Sequence, residues 1–349
     1  MKNRKLFQLL EILFSLAVVA VLYQVGVNVK PKEKFIRMER RVIEPRDHFY
    51  GAAAPSDDPA VRWVVGNEGK ILRSQDGGKS WIVQASGTKE HLQSIAAWDS
   101  QRAVAVGNDG LIIITADGGK TWALSPSPKS QVDNKLLRVR IDPRGVAWAV
   151  GNMGTVLAST DFGASWSRRM PTQDVAWNDI GFSGAGVVWV VGEFGRMMHT
   201  APVLEKKDST GANTRSQLFS DSWTMVKAPT DRSLMAIEFF GARQAFAAGL
   251  EGTLIKTEDG GTTWATVPLM TKEHLLALTF TGGRWVAVGT RGLLVESDDA
   301  TGSRWKEGVV GSGDLTWHTD LLFQQDQLLI VGATLHLQDF ENSSQFSAR

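Results

Sequence analysis

Four aspartates, Asp76, Asp117, Asp161 and Asp259, stand at the same place in four copies of one pattern, Ser/Thr-x-Asp-x-Gly-x-x-Trp. The copies run from Ser74 to Trp81, Thr115 to Trp122, Ser159 to Trp166 and Thr257 to Trp264. Recurrent carboxylates can bind calcium, and two of them at the right separation can act as acid and base in glycoside hydrolysis. The same carboxylate in a hairpin turn can instead accept backbone N–H bonds, while the glycine takes a conformation closed to other residues and the tryptophan anchors the outgoing strand. Repetition along the chain assigns these aspartates the second role. The box tryptophans 81, 122, 166, 223, 264 and 305 then read as packing residues rather than as platforms for sugars.

Other chemistries find little support. A sialidase needs a tyrosine nucleophile activated by a glutamate, and the chain has only Tyr23 and Tyr50, the first inside an apolar N-terminal run. The run Phe35-Ile36-Arg37-Met38 has the wrong order for the Phe-Arg-Ile-Pro motif of sialidases. Another glycosidase needs only two placed carboxylates, which no linear motif excludes. His91 and His274 sit in identical Thr-Lys-Glu-His runs and His318 follows later, without the short pairing of a metal site; they read as repeat kinship or surface polarity. No glycine-rich phosphate loop stands between a strand and a helix. No cofactor and no metal are expected. The absence of cysteine removes disulfides, thiol catalysis and Cys-ligated zinc, and a net charge of +1 argues against a nucleic-acid partner.

The elements that carry these residues repeat. An apolar strand ending in glycine, mostly with a second glycine three residues on, recurs with first glycines at 66, 107, 151, 192, 249, 289 and 332. The spacings are 41, 44, 41, 57, 40 and 43 residues, the period of a four-stranded propeller blade. In the fifth unit the strands read SLMAIEFF (A), QAFAAG (B), TLIKTED (C) and TTWATVP (D), with the box turning C into D. The fold class is therefore all-β, a seven-bladed propeller of four-stranded antiparallel blades over residues 46–338, with a tail at 339–349. The fourth unit trades its box for a long insertion between Thr200 and Asp221, expected to leave the C–D hairpin as a surface excursion. The seventh has too little chain for a D strand, so residues 35–44, within a linker at 31–45, are expected to supply it and cover the open edge.

Residues 6–29 are mostly apolar, with Lys2, Arg4 and Lys5 ahead, and read as a signal anchor or transmembrane helix within residues 1–30. Six basic residues after it oppose export by the positive-inside rule. Export is expected nonetheless, with the later charges assigned to a folded strand and the propeller on the periplasmic or lumenal side of an inner membrane.

The runs VAVGNDGLIIITADGGKTW at 104–122 and FAAGLEGTLIKTEDGGTTW at 246–264 resemble the photosystem II stability/assembly factor family of Asp-box propellers. The resemblance covers residues 46–338. It implies an exported, non-enzymatic, membrane-anchored propeller that binds a membrane protein or a nascent membrane-complex subunit during assembly. A glycoside hydrolase and an accessory protein of an envelope transporter are the alternatives. Many bacterial members of the family are lipoproteins, which a chain without cysteine cannot match. In a propeller the B–C tips and D–A loops ring one end of the axis. The tips offer Glu68, Asp109, Met153, Glu193, Phe194, Glu251 and Arg291, a locally negative rim and the expected partner-binding surface.

Overall fold

The computed structural model describes residues 2–28, 41–129, 132, 134–201 and 220–340. The chain divides into two compact units, Met1–Arg41 and Val42–Arg349. The first contains one helix, Lys2–Asn28, whose large apolar side chains such as Phe7, Ile12, Phe14 and Leu22 are exposed. Among the described residues, no helix is long and apolar enough to cross a membrane.

The second unit is the expected propeller, with seven antiparallel sheets whose strands pair in chain order. Blade 1 comprises Phe49–Ala53, Arg62–Gly66, Ile71–Ser74 and Ile82–Gln84. Blade 2 comprises Leu92–Ala97, Ala103–Gly107, Ile112–Thr115 and Ala123–Leu124, and blade 3 Leu136–Ile141, Ala147–Gly151, Val156–Ser159 and Ser167–Arg168. Blade 4 comprises Trp177–Ser183, Val187–Gly192, Arg196–Thr200 and Trp223–Lys227, and blade 5 Leu234–Phe240, Gln244–Gly249, Leu254–Thr257 and Ala265–Thr266. Blade 6 comprises Leu275–Thr281, Arg284–Gly289, Leu293–Ser297 and Trp305–Val309. Among the described residues blade 7 comprises A, B and C strands, His318–Gln324, Gln327–Gly332 and Leu335–Asp339.

The B strands are apolar at nearly every position because neighbouring blades cover both of their faces. Each interface buries one cluster, as where Trp63, Val65 and Ile71 of blade 1 meet Leu92, Ala105 and Ile113 of blade 2. Trp122, the box tryptophan of blade 2, joins that cluster, and Trp166, Trp223, Trp264 and Trp305 join the clusters between their own blade and the preceding one. A large aromatic buried in this way contributes roughly 1.5–3 kcal/mol. The box tryptophan thus fastens each C–D turn to the neighbouring blade.

The first glycine of every B–C tip has a steric cause. A Cβ on Gly66, Gly107, Gly151, Gly192, Gly249, Gly289 or Gly332 would overlap the carbonyl oxygen of the residue just before strand A of the same blade. Only glycine permits that approach.

Blade 4 keeps its hairpin around the insertion: strand C pairs with strand D from Arg196–Lys227 to Thr200–Trp223, and the Ala201 N–H bonds to the Ser222 carbonyl at 3.1 Å. Residues 202–219 lie outside the described residues. The insertion therefore falls within the C–D hairpin.

Residues 35–40 of the expected closing strand lie outside the described residues, and Arg41–Glu44 forms no strand. Among the described residues the blade 7 sheet has three strands. Blade 7 joins blade 1 through side chains: Phe49, Val64, Leu72 and Trp81 pack on Leu329, Val331 and Leu337. The buried Arg62 guanidinium donates to the Gln324 carbonyl and to Gln327 Oε1, both at 3.2 Å, and the Ala52 N–H donates to Asp320 at 2.9 Å.

Candidate functional site

The four box aspartates are spent on their own turns. Asp117 Oδ1 accepts from the Thr115 hydroxyl at 2.9 Å and the Thr121 N–H at 3.0 Å, and Oδ2 from the Thr121 hydroxyl at 2.7 Å. Asp76, Asp161 and Asp259 repeat the pattern with Ser80, Ser165 and Thr263. The Ser or Thr just before the tryptophan is thus a working member of the box that the motif as read left unspecified. Side-chain and backbone donation from that residue holds Asp76, Asp117 and Asp259 down at about 2. These carboxylates clasp the turns.

On the opposite edge of the blades, six tips raise one non-glycine residue each into the left-handed region: Glu68, Asp109, Met153, Phe194, Glu251 and Arg291, all at φ between 52° and 56°. That conformation is uncommon outside glycine and concentrates at functional positions. The rim is less negative than its tips suggest, because loops from neighbouring blades answer several charges. Asp109 pairs with Lys129 at 3.4 Å, Glu251 with Arg232 at 3.0 Å and Arg291 with Glu273 at 3.5 Å. Glu193 is not presented to a partner: its carboxylate accepts the Ala176 N–H at 2.9 Å. Phe194 is 70% exposed. Of the tryptophans where D–A loops enter the blades, Trp177 is buried as the first residue of strand A, whereas Trp317 lies parallel to Tyr50 with ring centroids 5.8 Å apart.

The A strands line the axis and carry a feature that motif reading does not reveal. In all seven, pairing with strand B skips the second residue, leaving a bulge at Tyr50, Gln93, Leu137, Asn178, Met235, Leu276 and Thr319. A bulge re-aims its residue, and all seven are half-buried at the tip end of the channel. They form a neutral ring of three apolar side chains, two amides, one hydroxyl and the Tyr50 phenol, whose pKa burial pushes up.

Beneath this ring lies a cavity of about 360 Å³ lined from every blade. It is crossed by ion pairs that join blade 3 to its neighbour, blade 4, and to the non-neighbouring blades 5 and 7. Arg138 of blade 3 reaches Asp320 of blade 7 at 3.2 Å and Asp179 of blade 4 at 3.4 Å. Arg140 reaches Asp179 at 2.8 Å and Glu238 of blade 5 at 2.6 Å. Asp179 is fully buried and also accepts the Ile237 N–H at 2.9 Å. Burial opposes the charge on Arg140, but the two carboxylates outweigh it and its pKa is raised; burial likewise raises Glu238 against the pull of Arg140. The axis is thus neutral at its tip end, and beneath that two arginines, Arg138 and Arg140, are engaged by three carboxylates, Asp179, Glu238 and Asp320. The sequence signal for these ion pairs was the run Leu136–Ile141, where arginine occupies alternate positions of a strand otherwise apolar.

The three histidines singled out from sequence are not brought together. His91 lies near Tyr50, with ring centroids 6.2 Å apart, and His274 Nδ1 accepts the Glu251 N–H at 3.0 Å. His318 is fully buried in blade 7, beside Asp314 and His336.

Comparison with known proteins places the repeats. Residues 215–313 match the family model described as photosynthesis system II assembly factor YCF48. The match spans strand D of blade 4 and all of blades 5 and 6. Two solved structures share the fold. One, "YCF48 bound to D1 peptide", is 18% identical with a TM-score of 0.64, covering 82% of this chain and 90% of that one. The other, YCF48 from Cyanidioschyzon merolae, is also 18% identical with a TM-score of 0.64, covering 85% of this chain and 97% of that one. No curated protein sequence matches the chain. The resemblance drawn from the glycines and boxes is met by the family model over these blades and by the seven-bladed architecture overall.

Proposed function

We propose that this protein is a non-catalytic assembly or stability factor that holds a segment of a membrane-protein subunit at the tip end of its axis. The observation that carries the reading is the match of residues 215–313 to an assembly-factor family. The similar structure described as bound to D1 peptide supports a peptide segment as the kind of client. The channel fits that role chemically. A neutral, half-buried lip can bury the apolar side chains of a peptide, and the charged groups beneath it are already engaged with one another.

A hydrolase would need a carboxylate pair free to reach a substrate. Asp179 and Glu238 are the nearest approach to one, and both are bonded to the same guanidinium, with Asp179 wholly out of solvent. A carboxylate so held is a poor nucleophile or base. The exposed apolar side chains of the N-terminal helix support a membrane tether, and we propose with it a propeller on the periplasmic or lumenal side.

The test is affinity capture from native membranes with the full chain, comparing wild type with a Tyr50→Ala/Leu276→Ala double variant at the lip. Enrichment of one membrane-protein subunit by wild type and its loss in the variant is the expected outcome. Equal capture by both, or none by either, would refute the axial binding site. A cytoplasmic position of a reporter fused after Arg349 would overturn the export proposal.

A further inference from the structure

Asp314, His318 and His336 are the group of metal-ligating side chains that converges among the described residues, with one donor atom from each lying within 4.8 Å of the others. They come from three separate pieces of blade 7: the loop entering it, the first residue of strand A, and strand C. Asp314 Oδ2 stands 2.6 Å from His336 Nε2 and 3.8 Å from His318 Nε2, and the Thr334 hydroxyl lies 2.5 Å from the same oxygen. The Thr316 N–H, at 2.7 Å, holds the other carboxylate oxygen in place.

Two observations argue that this is a site and not an incidental cluster. His318 is 0% exposed, yet neither of its ring nitrogens has a hydrogen-bond partner. A buried imidazole aimed at a carboxylate and a second imidazole, with nothing bonded to it, is an arrangement that a metal ion would complete. The internal repeat supplies the second. The position of His318 is filled in blades 1 to 6 by Phe49, Leu92, Leu136, Trp177, Leu234 and Leu275. That of His336 is filled by Leu72, Ile113, Leu157, Met198, Ile255 and Val295. Blade 7 has therefore placed histidine at two adjacent positions where every other blade keeps an apolar residue. It has done so in the blade with three described strands.

We propose that Asp314, His318 and His336 bind a divalent transition-metal ion of the zinc class, which clasps the entering loop to strands A and C of blade 7. Two imidazoles and one carboxylate are a donor set suited to such an ion, with the Thr334 hydroxyl or a water in the fourth position. In a tetrahedral site with bonds of about 2.0–2.1 Å the donors stand about 3.3 Å apart, so ligation requires adjustments on the order of 1 Å.

The experiment uses the full, untagged chain stripped by chelator and titrated with Co²⁺, whose visible absorption reports coordination. One equivalent should bind and be displaced by Zn²⁺. His336→Gln, at a half-exposed position, and Asp314→Asn should each weaken binding by at least about 100-fold, the upper end of what even supporting partners of a metal ligand contribute. His91→Gln and His274→Gln should bind as wild type. Binding well below one equivalent, or wild-type affinity in His336→Gln, would overturn the proposal and leave an adventitious ion only.

Discussion

Replacing Arg140 with methionine tests whether the axial ion pairs hold the ring together. In the wild type this guanidinium joins Asp179 and Glu238 across three blades, at 2.8 and 2.6 Å. Methionine keeps much of the stem's packing but leaves Asp179 fully buried with the Ile237 N–H and an Arg138 contact at 3.4 Å that is shared with Asp320. Breaking a buried pair from one side costs about 3–5 kcal/mol, because the stranded charge cannot return to water. The lower end applies here, since Arg140 is partly exposed and Arg138 remains, so the loss should be about 3 kcal/mol. At about 2 °C per kcal/mol for a domain of this size, the melting temperature should fall by about 6 °C. The assay is urea unfolding followed by tryptophan fluorescence, alongside calorimetry, at low and high salt. Burial shields the pair from screening, so the loss should change little with salt. A variant within about 1 kcal/mol of wild type, or a loss abolished by salt, would refute the structural role of the ion pairs.

Other expectations follow from the same geometry. Glu238→Gln should be far milder than Arg140→Met, costing under about 1 kcal/mol, because burial already disfavours the charged carboxylate. A carboxyl whose folded pKa lies above its unfolded value loses stability as pH rises through that interval, so Glu238→Gln should gain on wild type as pH rises above about 4.3, read from denaturant midpoints across pH. Asp117→Asn should behave oppositely: the Thr121 donors lower Asp117 to about 2, so its contribution is whole above about pH 4 and disappears as pH falls through 2, where variant and wild type should unfold alike. Gly151→Ala drives a Cβ into the Lys135 carbonyl oxygen and should cost about 3 kcal/mol or abolish folding, measured by soluble yield and circular dichroism. Phe194→Ala should leave thermal stability within about 0.5 kcal/mol of wild type while reducing client capture, since the ring is exposed and makes no core contact.

The scaffold was legible because its determinants are local and repeated. The first glycines are dictated by a carbonyl in the same blade, and the box by donors within four residues, so both leave a periodic trace in the chain. The axial site leaves almost none. Arg138, Asp179, Glu238 and Asp320 are scattered over some 180 residues and meet only because a ring brings blade 3 opposite blades 5 and 7. A linear reading therefore assigned binding to the tips, whose spacing is regular, when several of their charges are answered by the adjoining loops. His318 was visible as a residue but was read, beside His91 and His274, as repeat kinship or surface polarity. Of its true neighbours, Asp314 stands four residues ahead in the entering loop and His336 arrives through strand pairing within blade 7.

The departures of blade 7 share a physical logic. A blade with three described strands has less of its own ladder to hold its C strand, and the loop that enters it is long and glycine-containing, with Gly311 and Gly313 both at positive φ. The other blades hold each C–D turn with a box tryptophan on the preceding interface, a device missing from the blade 6–blade 7 cluster, where Phe340 packs instead. Polar bonds at the seam with blade 1, through Arg62, Gln324 and Asp320, fix the closing interface from one side. The Asp314–His336 contact fixes the blade's tip end from the other. Stability in a ring is limited by its weakest interface, because opening one exposes two apolar faces at once. Placing the chain's least repetitive polar chemistry at that interface secures the closed ring, and only a closed ring brings Arg138 and Arg140 across the axis to Asp320 and Glu238.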